Sequence, residues 1–173
     1  MRTIRKSIHL ILLGIGFGSG LFGQSTDPAY VKKLDKLYQN TVDVIQPSEL
    51  QTLLSAGQEL LILDTRTERE FEVSHIPGAT FVDFDSFRKK DWEKQSRDQK
   101  VVVYCSVGYR SERIGEKLQK MGFEDVTNLY GGIFEWKNQG YQVEDIQGQS
   151  TEDVHTYNED WGQWLQSGNK VSK

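Results

Sequence analysis

Apolar positions along the chain follow two rhythms that take turns. Tyr30, Val31, Leu34, Leu37 and Tyr38 recur at helical spacing in YVKKLDKLYQ (30–39), the stripe of an amphipathic helix. TVDVI (41–45) is a short strand candidate. Pro47-Ser48-Glu49-Leu50 then opens a second helix, with Leu50, Leu53 and Leu54 on one face and Gly57 placed to end it. LLILDT (60–65) is an unbroken apolar run closed by a carboxylate, and KVVVYC (100–105) holds a second apolar run, ending in Cys105. Such runs suit parallel strands covered on both faces. TEREFEV (67–73) predicts a short helix, HIPGA (75–79) a turn set by Pro77 and Gly78, and ATFVDF (79–84) a strand. The charged segment 86–97 is expected to be helical. Ile114, Leu118 and Met121 form a stripe over 111–121, Gly115 allows close approach, and Gly122 stops the helix. DVTNL (125–129) supplies a fifth strand, and GGIFEWKNQG (131–140) a glycine turn with a short helix.

Strands alternating with helices at this spacing predict an α/β fold, a parallel sheet flanked by helices. No internal repeat or low-complexity tract interrupts it. In such sheets ligands bind beyond the carboxyl ends of the strands. Cys105, the one cysteine of the chain, stands at such an end.

Composition narrows the class. Apolar residues make up 36% and charged residues 27%, with a net charge of −4, a soluble globular profile with length for one substantial core. The first residues, MRTIRKSIHLILLGIGFGSGLFGQ, place a basic start before an apolar run from Ile8 to Phe17 and then small residues, the layout of an export signal. The run is short for a bilayer-spanning helix. A leader over 1–23 is therefore expected, cleaved after Gly20 or Gly23, with a periplasmic or secreted product. Without Arg2, Arg5 and Lys6 the balance is 18 basic against 25 acidic residues, or −7. An acidic domain is a poor general partner for nucleic acid, and no membrane contact is expected beyond the leader. A single cysteine forms no internal disulfide, and three histidines with one cysteine give no zinc-like cluster. No metal or cofactor is expected.

CSVGYRS (105–111) bridges a strand end and a helix start. A tight turn there can aim successive amides inward as an anion-binding nest, and the following helix adds its positive end. Gly108 permits a backbone angle other residues resist, and Arg110 brings a permanent charge. A cysteine so placed should ionise readily. On position alone a buried, inert thiol is as good a reading.

The form C-x-x-G-x-R-S resembles the active loop of the rhodanese-like sulfurtransferases, six residues beginning with the catalytic cysteine. LLILDTRTEREFEVSHIPGAT (60–80) is similar to the family's D-x-R, E-F and H-I-P-G-A signature, and LYGGIFEWKNQGY (129–141) to its closing G-G-x-x-x-W segment. The resemblance covers about 41–143, leaving 24–40 as a linker and helix and 144–173 as a C-terminal extension. It implies a five-stranded parallel sheet. It also implies a Cys105 that takes a sulfane sulfur from a donor such as thiosulfate, becomes a persulfide and passes the sulfur to cyanide or a thiol, a protein acceptor included. Ser106, Val107, Gly108, Tyr109, Arg110 and Ser111 would then surround the sulfur, with Arg110 on the donor's sulfonate or, alternatively, in a solvated ion pair. Tyr109 would shape entry and Ser111 would cap the helix. Asp64 and Arg66 would support the site, Asp64 through turn amides or by pairing Arg66, and Arg66 there or against the loop. His75 is expected in its turn and Trp136 in the core. Two other functions share the pattern: a persulfide carrier or protein-binding module, for which Trp161 and Trp164 could dock a partner where the tail does not simply pack back on its own domain, and a phosphatase or arsenate reductase, whose C-x5-R loop is one residue longer.

Overall fold

The computed structural model describes residues 27–172; the expected leader at 1–23 lies outside them. Five strands form one parallel sheet: β1 (Asp43–Ile45), β2 (Leu61–Asp64), β3 (Thr80–Phe81), β4 (Val101–Tyr104) and β5 (Val126–Leu129), in the order β1-β5-β4-β2-β3. β4 is the middle strand, in register with β2 through Leu63↔Val103 and with β5 through Val103↔Asn128. All four of its side chains are fully buried, which is why its sequence shows no polar alternation.

Successive β4 side chains feed opposite faces. Val102 and Tyr104 join a core with Tyr30 and Leu34 of α1 (Pro28–Leu37), Leu50 of α2 (Pro47–Ser55) and Ile133, Phe134 and Trp136 of α5 (Gly132–Asn138). Val101 and Val103 join Ile114 and Leu118 of α4 (Tyr109–Gln119), with Trp92 and Phe123. At Gly115 of α4 a side chain would press on Val42 at 3.0 Å, so glycine sets how closely this helix lies on the sheet.

Two sequence expectations are corrected. The strand expected over 79–84 is two residues long, and the helix expected over 86–97 is a single 3-10 turn at Lys89–Trp92. The first lies at a sheet edge, and the second has Trp92 as its one buried residue.

The C-terminal extension folds back on the domain. Trp164 stacks on Tyr30 with centroids 5.3 Å apart, and Lys33 lies over the Trp161 ring. Val154 and Leu165 are buried in the first core. At its junction with the domain lies β6 (Val143–Glu144), paired with β7 (Ser150–Thr151), and beyond come β8 (Asp153–His155), paired with β9 (Asn169–Val171), and the short helix α6 (Glu159–Gly162). Strands of two or three residues are too brief to show a period in sequence.

Candidate active site

The loop 105–108 leaves the carboxyl end of β4 and turns into α4, and what fixes it is the set of partners its carbonyls find. The Cys105 and Ser106 carbonyls accept from the amides of Ile133 and Phe134, at the start of α5, at 2.9 and 3.2 Å. The Val107 carbonyl accepts from the Tyr38 hydroxyl at 2.9 Å, and the Gly108 carbonyl from the Asn128 side-chain amide at 3.0 Å. Four successive carbonyls are thus held by groups packed around the loop, which leaves its N–H groups for the concave side.

The Gly108 amide donates to the Cys105 sulfur at 3.2 Å. Among the described residues the amides of Ser106, Val107, Tyr109, Arg110 and Ser111 find no acceptor. The last three belong to the first turn of α4, where unpaired N–H groups and the helix dipole favour an anion. Gly108 is the pivot, with φ +97°. A side chain there would overlap the Tyr38 hydroxyl and approach its Cζ to 2.6 Å. Gly132 is the second close approach: its φ is +58° and a Cβ would meet the Ser106 carbonyl group at 2.7 Å.

Tyr38 also accepts from the Gly131 amide at 2.8 Å, and the Tyr30 hydroxyl donates to the Gly131 carbonyl at 2.9 Å. Burial raises the phenol pKa of both tyrosines. Both therefore stay protonated and able to donate.

Arg110 is engaged by a residue the sequence did not point to. Its guanidinium grips the Glu70 carboxylate at 2.9 and 2.7 Å and donates to the Ser106 hydroxyl at 3.1 Å, while Ser106 donates to Glu70 at 2.9 Å. Glu70 is fully buried. Burial by itself would push its carboxyl up, but the hydrogen bonds and charge of Arg110 prevail and hold it at about 2. Arg110 is thus in an ion pair, as one sequence reading allowed, but the pair is buried on the carboxylate side rather than solvated. A signal was present: Thr67 and Glu70 form a capping box at the start of α3 (Glu68–Val73).

Asp64 and Arg66 pair through three guanidinium bonds at 2.9, 3.1 and 2.6 Å, both side chains buried. Asp64 also accepts the Arg66 amide, and Arg66 clamps the Ser74 carbonyl at 2.6 Å. The pair therefore ties the end of β2 to the turn before β3 and makes no hydrogen bond to the loop. Ser111 caps nothing: its hydroxyl donates to Asn128 at 2.7 Å, orienting the amide that holds Gly108. His75 stacks on Phe71 and bonds the Phe71 carbonyl through Nδ1, and Trp136 is core, its indole donating to Gln142.

Cys105 is 1% exposed and lines a cavity of about 670 Å³. Ser106, Val107, Tyr109 and Arg110 of the loop and the start of α4 line it. Leu37, Phe84, Tyr157 and Trp161 build the rest of the wall, with Thr67 and Asp85. A thiolate there has amide donors on one side and an apolar vestibule on the other. It can attack an electrophilic sulfur entering from the vestibule and leave an anionic sulfur against the amides.

The model of the rhodanese-like domain matches residues 46–139. Over 94 residues the chain is 38% identical to the tRNA uridine(34) hydroxylase of Listeria welshimeri, a match covering 51% of this chain and 29% of that protein. The Staphylococcus aureus protein of the same name is 39% identical over 98 residues, 54% of this chain and 30% of that one. The chain thus spans less than a third of the length of these curated relatives. Among solved structures it is similar to the thiosulfate sulfurtransferase of Pseudomonas aeruginosa, with 27% identity and a TM-score of 0.58 over 70% of this chain and 23% of that one. A rhodanese-related protein of Thermoplasma volcanium superposes with a TM-score of 0.52 and 29% identity over 58% of this chain and 96% of that one.

Proposed function

The chain belongs to the rhodanese-like domain family, and we propose that it is a sulfurtransferase that carries sulfane sulfur as a persulfide on Cys105. In the first half-reaction the Cys105 thiolate attacks the outer sulfur of a donor. With thiosulfate the S–S bond breaks, its electron pair leaves with sulfite, and Cys–S–S⁻ remains. In the second, an acceptor attacks the terminal sulfur: cyanide becomes thiocyanate, or a thiolate becomes a persulfide, and the Cys105 thiolate returns. Donor and acceptor use the same pocket in turn, so ping-pong kinetics follow.

The observation that carries this reading is the outward anchoring of four consecutive loop carbonyls beside the thiol. It turns the amides of a six-residue loop toward the position of one added anionic sulfur. A phosphoryl group would need a wider loop and a free guanidinium, and here Arg110 is held by Glu70. The hydroxylation named for the tRNA-acting relatives is not carried over, since their match is to a minor part of a longer chain. Persulfide carriage to a partner protein uses the same chemistry and differs only in the acceptor.

The test is mass spectrometry of the protein after thiosulfate treatment, paired with thiocyanate production on adding cyanide. A gain of one sulfur atom, about 32 Da, on Cys105, lost on cyanide addition and absent in Cys105→Ser, is the expected result. A Cys105→Ser protein that still makes thiocyanate at the original rate overturns it.

A further inference from the structure

The vestibule says what kind of donor the loop is built to receive. Its volume of about 670 Å³ is in the range of sites for organic ligands, whereas thiosulfate has five heavy atoms. Much of its wall is apolar or aromatic: Leu37, Val107, Phe84, Tyr109, Tyr157 and Trp161. Its charge also argues against an inorganic dianion. Arg110, the one cationic side chain in the lining, is neutralised by Glu70, and Asp85 adds a carboxylate.

Three of these walls lie outside the segment shared with the family, 46–139: Leu37 from α1, and Tyr157 and Trp161 from the extension. Tyr157 is held out at the mouth, 59% exposed. Its φ of +64° is a conformation that costs a bulky residue energy. Its amide donates to His155 Nδ1 at 3.1 Å, and Asn158, next in the chain, caps the helix that carries Trp161. An exposed aromatic kept in a strained turn beside the thiol's pocket is placed to touch an incoming donor.

We propose that the sulfur donor is an organic molecule with an apolar or aromatic body and a single negative charge, seated against Tyr109, Tyr157 and Trp161. This rests on the sulfur-transfer reading and names its substrate class. With an organic thiosulfonate, the Cys105 thiolate attacks the terminal sulfur, the bond between the two sulfurs breaks, and the sulfinate leaves with the electron pair. For an organic persulfide the leaving group is the thiolate. One negative charge remains on the Cys105 persulfide in both.

The test compares benzenethiosulfonate with methanethiosulfonate, which share charge and reacting group and differ in the body. The full protein is assayed with cyanide as acceptor, and Cys105 is followed by mass. The expected kcat/KM favours benzenethiosulfonate by about tenfold or more, the scale of filling an apolar subsite. That preference should fall to within about threefold in Trp161→Ala and in Tyr157→Asn, the latter keeping a residue that tolerates left-handed backbone. Equal kcat/KM for the two donors, or a preference that survives both substitutions, overturns the proposal and leaves sulfur transfer standing. If neither donor adds sulfur to Cys105, the sulfur-transfer reading falls with it. Should Trp161→Ala fail to fold, the exposed Tyr157 decides the matter alone.

Discussion

Tyr38 occupies the space that a side chain on Gly108 would need. The phenol that bridges the Val107 carbonyl and the Gly131 amide thus fits against a backbone that only glycine can supply there, at φ +97°. Loop shape and phenol are two halves of one joint, formed by residues 70 apart.

Tyr38→Phe removes both bonds while keeping the ring. Each buried hydrogen bond lost leaves an unpaired group that costs about 1–3 kcal/mol. Stability in urea should fall by that order, and cyanide-dependent turnover should fall with it, because the Val107 carbonyl loses its anchor. Unaltered kcat/KM in a destabilised variant would show that the loop holds its shape without the phenol.

Gly108→Ala should be more damaging. It combines an unfavourable φ with overlap on Tyr38, and a strained backbone position of this kind costs about 1–3 kcal/mol before any clash. Persulfide formation on Cys105, read by mass after donor treatment, should be lost even where circular dichroism shows a folded protein.

Glu70→Gln should change specificity. The substitution lowers the negative charge facing Arg110 and releases its guanidinium toward the pocket. KM for thiosulfate, a dianion, should fall by about threefold to tenfold. Stability should drop by about 3 kcal/mol, the scale for breaking a largely buried pair. A raised thiosulfate KM would show that the pair itself, not a free guanidinium, serves the donor.

The same pair sets an acid limit. The Glu70 carboxyl is lowered from 4.5 to about 2, and a depressed carboxylate stabilises the fold above its unfolded pKa and ceases to do so as pH falls through the folded one. The advantage of wild type over Glu70→Gln should be complete above about pH 4.5 and vanish progressively toward pH 2. Parallel urea titrations across that window check it; a difference independent of pH would mean that Glu70 acts through shape alone.

Leu165→Ala tests the standing of the C-terminal extension. Leu165 is 1% exposed within the core that includes Tyr30 and Trp136. A loss of about 2–5 kcal/mol is expected for such a truncation. A loss well under 1 kcal/mol would mean that the extension is only loosely attached.

Much of this was legible in the sequence. The apolar runs 60–63 and 101–104 are buried strands, and the thiol at the end of the second lies where strand polarity puts it. Glu70 was not legible as the partner of Arg110. It is one of three glutamates in TEREFEV, and an ion pair 40 residues apart leaves no local spacing. The capping box it forms with Thr67 places it at a helix start and does not name it as the partner of Arg110. Tyr38 was equally hidden: its position fits an amphipathic stripe, and its hydroxyl finds Val107 and Gly131 only after the helix docks. Tyr157 and Trp161 stand among strands and helices of two to four residues, where tertiary contact rather than pattern decides the structure.

The bracing of the loop by Tyr30 and Tyr38 has a consequence for modular use of the domain. Both phenols lie upstream of the span that identifies the family, 46–139, Tyr30 in α1 and Tyr38 just past its end. A transplant of that span into another protein would deliver the nucleophile but leave behind the struts that shape its seat. The inheritable signature and the working machine have different borders, and a graft drawn to the first would need a substitute for the second.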